Sequence, residues 1–428
     1  MPSKITVFTC GLLLLFGVVT AHAAVGIGVF LKRSPAFLEQ QTVDFYISGF
    51  NTGTVAEQVD VHVGVIAENG TIYEYPNWNT SLTPWLRAFS IPAGFRLGAT
   101  YLGNLDSFPG GLTPGAYKLA VALTRPGTLD ILALDVTPFV VQGDETVWTS
   151  SGISLGKGES PSGVTAPVVS GAGSFSRVTF DPGTLITLFN QSTPDVDQCI
   201  FNTTPRVLEV LVGENNITSL DAGDLLRISA PALGSVDLNK VVLSDGSITY
   251  GNSTIAESFF RSGTNYTATG FGGPGFAPFS ASRTAPSAIV VSQPDLSSLQ
   301  SINSGQDLVL RWLGRNGVGE LLVTISATNG TLAEPMDVTC RFVDDGHGVV
   351  PSALLVQLRD AIAAAGTQIP GISGIDGFDI ADILGDSVAL PNASLVVSRL
   401  YTEVVSASAD DRVTFAVTRA LGVSVNLQ

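Results

Sequence analysis

Four aromatic residues, Tyr73, Tyr75, Trp78 and Trp85, fall within a short span that also carries Pro76, Asn77, Asn79 and Pro84. Flat aromatic faces stack on sugar rings and side-chain amides bond sugar hydroxyls, so this span is the candidate ligand-binding segment, and its chemistry would be carbohydrate recognition. The same residues also fit a packed core. Tyr73 and Tyr75 alternate as strand residues do, and Trp in a β-sandwich is commonly interior, so packing is the reading the pattern favours.

Catalytic constellations are harder to assemble. Apart from His22 the chain has two histidines, His62 and His347. His62 alternates with Val61 and Val63, which predicts an outward-facing strand position, and His347 lies in the tight loop Asp344-Asp345-Gly346-His347-Gly348. A Ser/His/Asp triad would need one of them as its base, and no Gly-x-Ser-x-Gly nucleophile elbow is expected in the chain. Zinc would need three or four convergent ligands. The densest carboxylate group, Asp376, Asp379, Asp382 and Asp386 in GIDGFDIADILGD, has spacings that do not supply an EF-hand's alternating oxygens and terminal Glu; a solvated turn is the expectation, and a calcium site the alternative. A glycosidase needs two carboxylates about 5 to 9.5 Å apart, and nothing singles out a pair. The sequence therefore gives no catalytic residue, no cofactor and no metal ligand.

Cysteine usage and the first residues bear on compartment. Residues 1–23 open with Lys4, continue through an apolar run around Leu12 to Phe16 and close on Ala21-His22-Ala23, the pattern of a signal peptide. The run is shorter than the roughly 20 residues of a membrane-spanning helix. Cys10 leaves with that segment, and the remaining Cys199 and Cys340 are expected to form one disulfide in an oxidising compartment. The 428 residues carry a formal charge of -16, and -17 once Lys4 is removed. Such a surface repels phosphate backbones and anionic lipid, which excludes nucleic acid and membrane surfaces as partners and leaves a glycan or another surface protein. Localisation is expected to be secreted, extracellular or periplasmic.

The elements that would position these residues are strands. Val43–Ser48, Val59–Ile66, Tyr117–Thr124, Pro138–Val141, Arg206–Val212, Leu308–Trp312, Leu321–Ala327 and Val413–Thr418 alternate or run apolar, and Gly, Asn, Pro or Asp bounds them. Turn dipeptides such as Asn69-Gly70, Pro114-Gly115 and Pro126-Gly127 recur at the spacing of antiparallel sandwiches. One helix is expected near 351–365, where Leu354, Leu355, Leu358 and Ile362 share a face that should dock on a sheet. Three sandwich units are expected, at 24–143, 148–292 and 293–428, with Gly/Ser-rich joints at Ser150–Gly163 and Ser292–Ser304. Tyr117 and Tyr266 each follow a tight turn at the start of a late strand, where a tyrosine corner would tie the hydroxyl to upstream backbone.

The run VDVHVGVIAENGTIY followed by LTPGAYKLAVALTRPGTLD resembles an Ig-like β-sandwich module of secreted bacterial proteins. The segments LDAGDLLRIS, GTNYTATGFGGPGFAPFSAS, LVLRWLG and VTCRFVDDGHGVVPSALL resemble a second group of exported bacterial β-rich modules, from which the helix and the loop through Asp386 depart. The resemblance implies an all-β fold of tandem Ig-like antiparallel β-sandwich domains and no catalytic residues. A non-catalytic exported structural, adhesion or binding protein is the expectation. Carbohydrate binding through the aromatics of the first unit, or a secreted hydrolase with an unrecognised carboxylate site, are the alternatives.

Overall fold

The computed structural model describes residues 25–32, 36–38, 41–143, 147–163, 165–179, 194–202, 217–313, 319–327, 336–366, 393–408 and 411–428. The fold is all-β and sandwich-like with one α-helix among the described residues. The expected strand Arg206–Val212 and the carboxylates Asp376, Asp379, Asp382 and Asp386 lie outside the described residues.

Two sheets enclose the first core. One joins Val25–Leu31, Asp44–Asn51 and Arg96–Asn104. The other runs Ala36–Leu38, Ile131–Gln142, Gly115–Thr124, Glu57–Ala67 and Ile72–Glu74, with Leu86–Ile91 also paired to Glu57–Ala67. Alternation explains the burial: Val59, Val61, Val63 and Val65 share one face of their strand and all are buried against Leu119, Val121 and Leu123 of its neighbour. The turn that follows needs a left-handed residue, which Gly70 supplies at φ 80°. Where the two sheets meet at Val25–Leu31, side chains replace a ladder. The Val29 N–H donates to Asp135 Oδ2 at 2.9 Å, and Thr137 Oγ1 donates to the Val29 carbonyl at 2.6 Å. Those bonds satisfy an edge strand without adding another. Tyr117 donates to the Thr113 carbonyl at 2.8 Å, and Tyr266 donates to the Phe259 carbonyl while accepting the Arg261 N–H at 2.8 Å. Both hydroxyls therefore tie back to upstream backbone.

The rest of the chain holds two cores on one sheet. Its hydrogen-bonded path runs Gln198–Asn202, Asp337–Val343, Glu320–Ala327, Ala393–Ser406, Arg412–Leu427, Val147–Glu159, Val168–Thr179, Ile248–Ile255, Gly234–Val242, Leu225–Ala230, Asn265–Gly270 and Phe279–Thr284. The last of these strands returns to lie beside Ala393–Ser406 and Arg412–Leu427, so this part of the sheet curls around the second core. A small sheet of Val291–Gln293, Leu308–Trp312 and His347–Val350 covers the third core together with the helix Ser352–Gly366. Leu355, Leu358 and Ile362 of the helix are buried there, and Asp307 caps its start by accepting the Ser352 N–H at 2.7 Å.

The stretch Ser150–Gly163 is not a joint. Most of it belongs to the strand Val147–Glu159, which pairs antiparallel with Val168–Thr179 and parallel with Arg412–Leu427. Ile153 and Leu155 face the second core, and the alternate positions beside them, Gly152, Ser154 and Gly156, are small. The small residues read as linker because, among the described side chains of the inward parity, Ile153 and Leu155 are the large apolar ones beside Thr149 and Ser151. In the next strand Gly171 and Gly173 also face inward, and a Cβ on either would lie 2.6 Å from Leu238 or 2.7 Å from Leu226. The 292 boundary is also crossed. Val413, Phe415 and Val417 belong to the second core, while Val425 and Leu427 of the same strand belong to the third.

Candidate functional site

The aromatic span of the first sandwich is a packed cluster. Trp78 is 1% exposed, its Nε1 donates to Ser107 Oγ at 3.1 Å, and its ring meets Phe45, Tyr75 and Phe108 at centroid distances of 6.2, 5.4 and 5.9 Å. Tyr73 packs on Phe108 and Trp85 on Tyr75, and both residues, like Tyr75, are half-buried against the same core. Trp78 thus has no solvent-facing surface on which a sugar could stack, which corrects its candidacy. Its bulk, sited in a loop, is used to plug one end of the sandwich.

His62 sits on the sheet face opposite the valines, as its parity requires, but it is covered rather than open. Its Nδ1 lies 2.9 Å from Oε1 of buried Glu74, whose other oxygen accepts the Thr83 N–H. The pair therefore pins the 74–83 loop over the sheet. Asp60, on the same strand, accepts the Ala88 N–H at 2.7 Å and the Gly127 N–H at 2.8 Å, and these two bonds hold its carboxyl below the usual range. His347 is exposed at the end of its loop, where its N–H donates to Asp345.

The expected absence of a Gly-x-Ser-x-Gly spacing is corrected by Gly152-Ile153-Ser154-Leu155-Gly156, yet the five residues are mid-strand, with Ser154 opposite Ala172 and Ala416 in the ladder. An elbow requires a strand-to-helix turn, and none is there. Among the described residues no group of three or more His, Cys, Asp or Glu side chains converges as a metal site. A shallow surface groove of about 620 Å³ is lined by Phe271 to Pro278 and Asp411. Asp411 is already bonded to Thr149 at 3.1 Å, Arg177 at 3.2 Å and Ser408 at 3.0 Å.

Cys199 and Cys340 form the expected disulfide, with Cα atoms 4.0 Å apart at directly opposed ladder positions. The bridge staples the outermost strand Gln198–Asn202 to Asp337–Val343.

The charged groups the sequence did not single out lie between units. Arg399 and Asp344 are each 1% exposed; the guanidinium donates to the carboxylate at 2.7 and 3.1 Å and to the carbonyls of Ala288 and Leu313, and Trp312 Nε1 donates to the same carboxylate at 2.7 Å. Between the first sandwich and the two-core body runs a second charged seam. Arg341 donates to Glu320 at 2.8 Å and to the Lys32 carbonyl at 3.3 Å, and Lys118 meets Glu403 at 2.5 Å. Phe30 packs with Val196 and Val343, and Ala116 and Val140 pack with Val404. Asp135, bonded to Val29 within the first sandwich, has its carboxyl pushed up to about 6 by burial. A signal for both sites was available: Arg399 shares the parity of buried Leu395 and Val397, and Asp135 that of buried Phe139 and Val141.

Neither a protein-family model nor a curated protein matches this chain. Among the described residues no helix is long and apolar enough to cross a membrane.

Proposed function

We propose that the protein is an exported, non-catalytic structural or adhesion component that bears tension through its β-scaffold. The observation that supports this is the parallel pairing of Val147–Glu159 with Arg412–Leu427, in register from Gly152 opposite Thr414 to Glu159 opposite Leu421. Tension entering from the first sandwich pulls the former strand toward its N-terminal end, and tension on residue 428 pulls the latter toward its C-terminal end. In a parallel pair those directions are opposed along the strands. The whole ladder is then loaded in shear, and its bonds must fail together rather than one at a time. The disulfide fits an oxidising compartment and reinforces the far edge of the same sheet.

Among the described residues, several charged side chains that could serve catalysis are engaged in structural pairs: His62 with Glu74, Arg341 with Glu320, Arg399 with Asp344 and Lys118 with Glu403. Incubation of the purified protein with glycan and peptide panels is expected to give no turnover above blank. Hydrolysis abolished by substitution of a single carboxylate would overturn the non-catalytic reading. The load-bearing reading is tested by comparing pulling directions on the same pair of strands.

A further inference from the structure

We propose that the mouth of the curled sheet, where the loop from Gly272 to Pro278 stands over Asp411, is a binding site for a neutral saccharide. The inward face of the sheet changes character at this end. Ile153, Leu155, Phe175, Val413 and Phe415 fill the second core, and the next inward positions on or beside the same strands are Ser151 and Thr149, Arg177 and Asp411. Thr149, Ser151 and Asp411 are 7, 8 and 7% exposed. Thr149 Oγ1 donates to Asp411 Oδ1 at 3.1 Å and Arg177 to the same oxygen at 3.2 Å, while Oδ2 accepts the Ser408 hydroxyl at 3.0 Å. A carboxylate has about four acceptor positions, so one on Oδ2 is left for a ligand hydroxyl. Ser151 Oγ, two positions further in than Thr149, has no hydrogen-bond partner among the described residues.

The wall of the groove is set before any ligand arrives. Phe276 and Phe279 anchor the loop in the second core, the Gly273 N–H donates to the Phe276 carbonyl at 2.9 Å, and the Gly275 N–H donates to the Asp221 carbonyl at 3.2 Å. A Cβ on Gly273 would lie 2.5 Å from the Asp221 carbonyl oxygen and the Gly223 nitrogen, so the two loops interlock through main chain. Such preorganisation removes part of the ordering cost of binding. Gly272, Gly273, Pro274 and Gly275 give the groove a wall of main chain rather than of aliphatic side chains. At its rim Phe271 is 55% exposed, with Arg227 over the ring 5.7 Å from its centroid.

These features select the ligand. The groove's volume of about 620 Å³ is in the range of small-molecule sites, roughly 300 to 1,000 Å³, and the mouth of a closed sheet is a common place for them. A single exposed aromatic beside polar main chain suits a ring with one apolar face and a rim of hydroxyls, which describes a pyranose. Arg177 and Asp411 already neutralise each other. An acidic sugar would have to compete with Asp411 for the guanidinium, and a cationic one with Arg177 for the carboxylate; a neutral polyol does neither. The site is independent of whether the scaffold carries tension.

The test uses the full chain, disulfide intact, titrated calorimetrically with cello-, manno-, xylo- and galacto-oligosaccharides as neutral probes and oligogalacturonate as the acidic one. At least one neutral probe is expected to bind. Phe271→Ala should weaken that binding about tenfold or more. Phe271→Tyr keeps the platform and should stay within about threefold of the parent. Phe89→Ala, at an exposed aromatic of the first sandwich, should leave binding unchanged. Because Phe271 is exposed, its truncation should also leave the urea midpoint in place, which separates lost binding from lost folding. No binding of any neutral probe, binding confined to oligogalacturonate, or a Phe271→Ala variant that binds as the parent does overturns the proposal.

Discussion

Replacing Arg399 by Met should unsettle the third core more than most single substitutions. The guanidinium leaves behind a carboxylate 1% exposed to solvent that has lost its cation and both of the bonds from it, and it orphans the carbonyls of Ala288 and Leu313. An uncompensated buried charge of this kind costs about 3 to 5 kcal/mol. Removing Asp344 as well, in Arg399→Met with Asp344→Leu, replaces the charge problem by an unsatisfied Trp312 N–H, about 1 to 3 kcal/mol, with the Ala288 and Leu313 carbonyls orphaned equally in both variants. The double variant should thus be more stable than Arg399→Met alone, giving a coupling energy of opposite sign to the two separate losses. Urea unfolding followed by tryptophan fluorescence reads this directly. With a slope of about 3 kcal/mol/M, Arg399→Met lowers the midpoint by about 1 M or more and the double variant restores part of it. A loss below about 1 kcal/mol for Arg399→Met, or a double variant less stable than that single one, refutes the reasoning.

Other consequences follow from the same contacts. Cys199 and Cys340 close a loop of sequence separation 141, and the chain-entropy relation puts the bridge at about 5 kcal/mol, so Cys199→Ser with Cys340→Ser should lower the urea midpoint while added reductant leaves that variant unchanged. Trp78→Ala opens a cavity among Phe45, Tyr75 and Phe108 and should cost about 3 to 5 kcal/mol in thermal or urea unfolding, whereas an unaltered transition would show that the ring is not core. Asp60 has a carboxyl depressed by its two backbone bonds, so its contribution is present above the ordinary carboxylate range and is lost as pH falls through the folded value. Asp60→Asn should accordingly flatten the acid limb of the stability profile, measured by urea midpoints between pH 2 and 5.

Much of the scaffold is legible wherever parity is dense. The alternation of Val59, Val61, Val63 and Val65 marks a half-buried strand without ambiguity, and Leu308–Trp312 and the helix after Pro351 fall where their patterns put them. The two tyrosines after tight turns bond upstream backbone, because a hydroxyl buried beside a turn finds the turn's own carbonyls. Linkage between units was not legible. Val147–Glu159 has too few large side chains to outweigh its Gly and Ser content, and its partner lies some 260 residues away in sequence, as the Glu159–Arg419 bond shows. The same limit applies to Arg399 and Asp135: parity puts each on a buried face, but hydropathy assigns a charged residue to solvent, and only the distant partners on the opposing elements reconcile the two. The aromatic span shows the converse case. Its composition suits a sugar platform, and the ring orientations that make Trp78 a plug depend on Phe45 and Phe108, which sequence proximity does not connect to it.

The load-bearing claim is tested most directly by single-molecule force spectroscopy on the same strand pair pulled in two directions. Handles at Gly143→Cys and Gln428→Cys load Val147–Glu159 against Arg412–Leu427 in shear. Handles at Gly158→Cys and Gln428→Cys act on the C-terminal ends of both strands and peel the ladder from Glu159 opposite Leu421 inward, and a side chain at Gly158 meets no atom within 4 Å. The account predicts a distinctly higher rupture force for the first geometry than for the second at equal loading rate, with the disulfide intact in both. Equal rupture forces in the two geometries would contradict it.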